Sequence, residues 1–80
     1  MKYSDISFGT DSYLLASYLL SQSCILLDLD RTNPRRVVFI FQEEPKRITL
    51  TEKFLSHKAT VEPHKFQSAQ KDLKQLLYQT

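Results

Sequence analysis

Three arginines in residues 31–36 are the side chains of this chain best suited to bind an anion. They are Arg31, Arg35 and Arg36, and they flank a segment rich in turn-forming residues. A guanidinium group presents a fork of N–H donors that matches a phosphate, so an arginine-bearing turn could contact a nucleic-acid backbone. The alternative is a solvated turn whose charges protect a sheet edge, which is the more common use of such charges.

The single cysteine and the two histidines are the residues that could form a metal site or a nucleophile with its base. They are Cys24, His57 and His64, and they lie far apart in the sequence. A structural zinc site needs four such ligands at short spacings. A free cysteine at the start of an apolar run usually behaves as a small buried hydrophobe. We therefore expect no metal, no cofactor and no nucleophilic cysteine.

Four carboxylates border the two most apolar stretches of the chain. Asp28 and Asp30 alternate with leucines, and Glu43 and Glu44 follow the next apolar run. Paired carboxylates can perform acid–base chemistry or bind calcium, but calcium loops include a turn glycine that this stretch lacks. We interpret Asp28 as a solvent-facing strand residue and Asp30 as the start of a turn. With no recognisable catalytic set, the sequence predicts that the protein is not an enzyme and has no small-molecule substrate.

Length and composition set the scale of the fold that must position these residues. Eighty residues make one domain with one thin core, and 41% hydrophobic residues with nine aromatics are typical of a folded chain. A net charge of +2 is too small for bulk charge to indicate a nucleic-acid or membrane partner. The chain has no signal-peptide pattern, no apolar run of about 20 residues and no pair of cysteines. We expect a cytoplasmic protein with no membrane partner.

The N-terminal part of the chain predicts a lead followed by a helix. Residues 1–9 form the lead, with an edge strand through Ile6 and Phe8. Thr10 is placed to cap a helix that runs from about residue 12 to residue 22. Its small residues Ala16 and Ser17 would permit close packing. Its apolar face comprises Leu14, Leu15, Tyr18 and Leu19.

Two strands joined by a turn follow, and they predict an antiparallel hairpin over residues 24–29 and 36–41. On the first strand the two-residue period places Ile25, Leu27 and Leu29 on one face. On the second strand Val37, Phe39 and Phe41 point one way, while Val38 and Ile40 point the other way. Apolar residues on both faces of a strand require cover on both sides. Either helices cover both faces, or another chain covers the face that carries Val38 and Ile40 or the face that carries Val37, Phe39 and Phe41. We take Val38 and Ile40 as the candidate surface for a protein partner or for a second copy of the chain.

Two helices complete the fold, each opened by a proline. The first begins at Pro45 and ends near His57. It turns Ile48, Thr51, Phe54 and Leu55 toward the core. Residues 59–61 are the candidate for a short third strand. The last helix begins at Pro63, and its apolar stripe comprises Phe66, Ala69, Leu73, Leu76 and Leu77.

The elements add up to an α+β fold, in which a small antiparallel sheet packs with three helices in the order α-β-β-α-(β)-α. The whole of residues 1–80 forms a single domain. The residues that we expect in its core are Leu19, Phe39, Phe66 and Leu73.

The pattern resembles a family of short bacterial and phage domains known only as a domain of unknown function. The resemblance extends from about residue 8 to residue 77 and rests on caps and core positions. The residues that match are Thr10-Asp11, Tyr13, Ala16, Tyr18 and Leu19, the strand at 37–41, and Val61-Glu62-Pro63, Phe66, Ala69 and Leu73-Lys74. The resemblance implies the fold and carries no activity, cofactor or catalytic residue.

Two functions follow from these expectations. The first is a protein-interaction or regulatory module that binds a protein partner or itself through the apolar strand. The alternative is a nucleic-acid-associated accessory protein that contacts phosphates through Arg31, Arg35 and Arg36.

Overall fold

A computed structural model of the protein describes residues 7–78. Three strands form one antiparallel sheet in the order β1-β3-β2. The elements in chain order are β1 (Ser7–Thr10), α1 (Tyr13–Ser21), β2 (Leu26–Asp30), β3 (Val38–Gln42), α2 (Pro45–Leu55) and α3 (Pro63–Tyr78). The predicted α+β class, the hairpin and the three helices are confirmed.

The third strand of the sheet comes from the N-terminal lead and not from residues 59–61. β1 is an edge strand that pairs with β3, so that Phe8 lies opposite Phe41. Residues 59–61 have no strand structure, and Val61 is exposed. The pairing with β1 brings the ring of Phe8 against the core, whereas residues 59–61 offer only the small Ala59 to it. The predicted edge residue Ile6 lies outside the described residues.

The hydrophobic core lies between one face of the sheet and the three helices. Phe39 and Phe41 of β3 are 2% and 0% exposed, and they point to the helices. The helices contribute Leu15, Ala16, Tyr18 and Leu19 from α1, Leu50 from α2 and Leu73 from α3. Three of the four predicted core residues, Leu19, Phe39 and Leu73, are buried, and Phe66 is half-buried at the margin of the core.

A β-bulge in β2 changes which of its residues face the core. Leu26 pairs with Phe41, but Asp28 pairs with Ile40, so β2 carries one extra residue between them. Leu26 and Leu29 therefore pack against the core, while Ile25 is 49% exposed. The prediction that Ile25, Leu27 and Leu29 share one face is wrong, because a bulge breaks the two-residue period on which it relied.

The start of α1 is capped by Ser12 and not by Thr10 as predicted. The Ser12 Oγ accepts a hydrogen bond from the Leu15 N–H at 3.1 Å, while the Thr10 hydroxyl accepts one from the Ser12 N–H. Ser12 lies next to the helix and reaches its free donors, whereas Thr10 is the last residue of β1. The predicted role of Ala16 and Ser17 is confirmed, since both are fully buried where α1 packs against its neighbours.

Helix α2 begins at Pro45 as predicted, and Phe54 packs against the core as predicted, but two of the other residues assigned to the core do not. Ile48 and Leu55, which we expected in the core, are 44% and 69% exposed. Leu50 is buried instead, and Arg47 is only 8% exposed. The Arg47 guanidinium lies over the Phe8 ring, 3.9 Å from its centroid. A long arginine side chain thus fills core space that the apolar pattern assigned to isoleucine.

Helix α3 matches its predicted start and its predicted stripe. Both Glu62 carboxylate oxygens accept backbone hydrogen bonds, one from His64 and one from Lys65, at 3.1 Å each. The bond from the His64 N–H is the main reason why the pKa of Glu62 is lowered. Ala69 and Leu73 are buried on the stripe. Phe66, Leu76 and Leu77 pack half-buried beside them.

Candidate functional site

The face of the sheet turned away from the helices carries the candidate partner surface predicted from the sequence. Val38 and Ile40 alternate with the buried Phe39 and Phe41, so they lie on this outer face and are half-buried. By register, Gly9 of β1 lies on one side of Ile40 and Asp28 of β2 on the other side. We refer to Ile25, Val38, Ile40 and Gly9 as the outer patch.

Gly9 leaves a hollow in the outer patch that the neighbouring strand fills. A Cβ atom at this position would lie 3.0 Å from the Val38 Cγ1 and 3.4 Å from the Ile40 Cδ1. The two β3 side chains therefore lean over the glycine backbone, which explains why they are half-buried although no helix in the described part of the chain covers them. The outer patch is consequently flat, with no side chain of β1 rising above it at Gly9.

The second edge of the outer patch is formed by β2. Ile25 lies beside Gln42, whose N–H donates to the Ile25 carbonyl at 2.9 Å, and its side chain is 49% exposed. Further along β2, Asp28 and Asp30 are exposed and lie opposite Ile40 and Val38. The outer patch is therefore an apolar strip with a row of carboxylates on its β2 side.

Both carboxylates of this row accept hydrogen bonds from backbone N–H groups one or two residues further along the chain. An Asp28 oxygen accepts from the Leu29 N–H at 2.8 Å, and an Asp30 oxygen accepts from the Thr32 N–H at 2.9 Å. Hydrogen bonding by the side chain and then by the backbone of Thr32 lowers the pKa of Asp30. Asp30 thus remains negatively charged at neutral pH.

Two of the three hairpin arginines are engaged within the protein. The Arg31 guanidinium donates to the carbonyls of Leu76 and Leu77, with a distance of 3.1 Å to Leu77, and so caps the last turn of α3. Arg36 pairs with Asp11 at 2.5 Å. Arg35 has no ion pair with any residue that the structure describes. Each of the three guanidinium groups therefore has a different environment.

The cysteine and the histidines lie in unlike environments. Cys24 is buried, and its burial raises the pKa of its thiol, which keeps the sulfur protonated at neutral pH. His64 is on the surface at the start of α3, where its Nδ1 lies 3.3 Å from a Glu62 oxygen. Within residues 7–78 no three His, Cys, Asp or Glu side chains come close enough to hold a metal ion.

One residue with a specific environment was missed by the sequence reasoning. Arg47 donates through Nε and Nη2 to the two Glu43 oxygens, at 2.7 Å each, and through Nη1 to the Thr51 hydroxyl at 3.1 Å. All three side chains are spaced four residues apart, which is the signal that could have revealed this ladder. Each guanidinium nitrogen of Arg47 has a partner within the ladder, so the ladder offers no free group to a ligand. The contact of Arg47 with the Phe8 ring joins α2 to β1.

The surface also bears shallow depressions, and none of those described here is enclosed. One of 380 Å³ lies between α1 and α3 and is lined by Leu20, Ser21, His64, Lys65, Ser68, Ala69 and Asp72. Another of 350 Å³ lies between β2 and the end of α3 and includes Arg31 and Leu76. The first depression is lined by serine and histidine side chains, but the Ser21 hydroxyl donates to the Tyr18 carbonyl and the His64 Nδ1 faces Glu62, so among the described residues no serine–histidine hydrogen bond forms there.

These features define a small α+β domain with an open three-stranded sheet, one face of which is covered by helices. The family model described as Domain of unknown function (DUF5659) matches residues 5–79, so the chain belongs to that family. This confirms the resemblance seen in the sequence as far as a domain of unknown function. Searches of the curated proteins and of the solved structures found no significant match.

A helix that crosses a lipid bilayer needs about 20 predominantly apolar residues. Across residues 7–78 there is no helix with both the length and the apolar character needed to cross a membrane.

Proposed function

We propose that this domain is a protein-interaction module that self-associates by stacking the outer faces of two sheets. The observation that carries the proposal is the outer patch, in which Val38, Ile40 and Ile25 lie on a sheet face that no helix of residues 7–78 covers. Sheets that carry apolar residues on both faces are normally covered on both. The proposed role is binding to a second copy of the chain, without a catalytic step.

A second copy of the chain suits this face because of where the charges lie. Flat sheets stack face to face with nearly aligned strands, and a two-fold interface must be complementary to itself. A two-fold axis parallel to β3 stacks β3 on its copy and places each β2 over the β1 of the other protomer. Asp28 then faces Gly9, and Asp30 faces the position of Asp11, which follows β1 and is paired with Arg36, so the two carboxylate rows do not oppose each other.

The hairpin arginines support nucleic-acid binding less well than the outer patch supports self-association. Arg31 and Arg36 would have to leave intramolecular partners before they could contact phosphates, which leaves Arg35 as the free guanidinium among them. A single exposed cation gives little affinity for a polyanion. We therefore favour the outer patch over the arginine-bearing turn as the functional surface.

The test is the molar mass in solution, measured by light scattering after size exclusion. Three apolar side chains are a small interface, so we expect dimers with a Kd of about 10–100 μM. Ile40→Lys should give monomers, because burying the ammonium in the stacked interface is costly. Within the protomer the new lysine lies opposite Asp28, and this cross-strand pair should preserve the fold.

The matched control is Ile48→Lys, which places the same charge at an exposed isoleucine of α2, outside the outer patch. This variant should dimerise like the wild-type protein. Val38→Lys, opposite Asp30, provides a second disrupting variant if the first fails to fold. A wild-type protein that is monomeric at about 1 mM, or dimers that survive both outer-face lysines, would overturn the proposal.

A further inference from the structure

One exposed face of α3 combines cations, amides and an aromatic ring without a carboxylate. It consists of Gln67, Gln70, Lys71, Lys74, Gln75 and Tyr78, which we name the basic face. Lys71 and Lys74 line two adjoining depressions, one of 700 Å³ with Gln75 and Tyr78, and one of 230 Å³ with Tyr13, Gln67 and Gln70. These residues thus form one continuous surface.

Helical geometry explains why this face is uniformly basic. Residues three and four apart lie on one side of a helix, which aligns Gln67 with Lys71 and aligns Lys74 with Tyr78. The acid of this helix, Asp72, lies on another side, where it lines the cleft against α1 together with Lys65. The lysines of the basic face therefore have no ion pair with any residue in the described part of the chain.

Tyr78 gives the basic face its second recognition element. Its side chain is 81% exposed, more than that of any other large apolar or aromatic residue within 7–78. An exposed ring next to lysines provides a stacking platform for a base and cations for the flanking phosphates. The three glutamine amides can both donate and accept hydrogen bonds, as base edges require.

We propose that the basic face binds single-stranded nucleic acid, independently of self-association through the outer patch. A single strand fits better than a duplex because the faces of paired bases are covered by their neighbours and cannot stack on Tyr78. Recognition is by phosphate and stacking contacts, so it tolerates different sequences. Two lysines neutralise about two phosphates, which predicts weak binding whose log Kd changes with log salt by a slope of about 1.4.

The experiment is a fluorescence anisotropy titration of the intact protein with a labelled oligothymidylate at several salt concentrations. We expect a Kd of about 10–100 μM at low salt. The double change Lys71→Gln with Lys74→Gln should abolish the salt slope, and Tyr78→Ala should weaken binding about tenfold. The matched control, Lys53→Gln with Lys58→Gln, removes the same charge from the exposed end of α2 and the loop that follows it, and should bind normally.

Further titrations distinguish this surface from its alternatives. A duplex of the same length and a polyglutamate peptide should both bind less tightly than the oligothymidylate. Ile40→Lys should leave binding intact, which separates this proposal from the outer patch. Circular dichroism of each variant establishes that it is folded. The inference is overturned by the absence of saturable binding at low salt, by unchanged binding in the Lys71 and Lys74 variant, or by equal affinity for polyglutamate.

Discussion

Arg47 shows how a single charged residue can be part of a small core. Its guanidinium is held by both oxygens of Glu43 and by the Thr51 hydroxyl, and it lies over the Phe8 ring. A buried charge is tolerated when it is paired and its donors are satisfied. Glu43 is on the side of the pair that water can reach, since 35% of its side chain is exposed.

The Glu43–Arg47 pair makes stability depend on pH. Hydrogen bonding to Arg47 lowers the pKa of Glu43 in the folded protein. A carboxyl group with a lowered folded pKa stabilises the protein above its unfolded pKa, near 4.3, and this contribution is lost as the pH falls through the folded value.

Glu43→Gln should therefore lower the free energy of unfolding by about 1 kcal/mol at pH 7, a modest value because Glu43 is partly exposed. The difference in the free energy of unfolding between the variant and the wild type should shrink toward zero at about pH 2, where the protonated Glu43 and the glutamine that replaces it are both neutral. Urea unfolding at the two pH values measures this. A difference that stays constant between them would mean that the ion pair contributes nothing to stability.

At the scale of elements, α1 and α2 end in the same way without a glycine. Ser23 and His57 have positive φ angles of 70° and 63°. After α1, the Cys24 N–H donates to the Leu19 carbonyl, and after α2 the Lys58 N–H donates to the Lys53 carbonyl. This is the Schellman arrangement, in which the left-handed residue is usually glycine. Both helix ends therefore hold a side chain in a backbone conformation that costs free energy.

His57→Gly should raise the free energy of unfolding by about 0.5–1 kcal/mol, because glycine adopts this φ angle without a Cβ clash. His57 is exposed, so the change removes little packing. Thermal and urea unfolding measure the gain. As a control, His64→Gly within α3 should destabilise the protein, since glycine is a poor helix former. An equal loss in both variants would show that the conformation of His57 is not strained.

At the scale of the whole molecule, stability rests on one layer of contact between the sheet and the helices. Phe39 is 2% exposed and lies in the central strand of the sheet, whereas Phe66 is half-buried at the margin of the core. Replacement of either phenylalanine by alanine therefore removes the same ring from two different surroundings.

Phe39→Ala should lower the free energy of unfolding by about 3–5 kcal/mol, because it leaves a cavity that the central strand cannot close. Phe66→Ala should cost clearly less, since solvent already reaches that ring. Chemical denaturation with the two variants and the wild-type protein gives both values. The placement of the core would be contradicted if the two losses were equal, or if Phe39→Ala cost less than about 0.5 kcal/mol.

Local sequence signals were enough to predict the elements whose stabilising interactions lie close in the chain. Pro45 and Pro63 mark two helix starts, the spacing of Ala69 and Leu73 defines the buried stripe of α3, and the β-branched run around Phe39 defines the central strand. The alternation along β3 also placed Val38 and Ile40 together on the face opposite Phe39 and Phe41, because the period of a strand depends only on its own backbone. The packing of the helices decided that this face is the outer one.

Long-range contacts decided which of these elements meet. β1 became the third strand because Phe8 packs beside Phe41, more than thirty positions away in the sequence. The end of α3 offers Arg31 two carbonyls that no local signal predicted, and the Phe8 ring gives Arg47 its place at the core. Such contacts form between segments that carry no local signal for one another, so the sequence determined the elements and only the tertiary structure decided which side chains remain available to a partner.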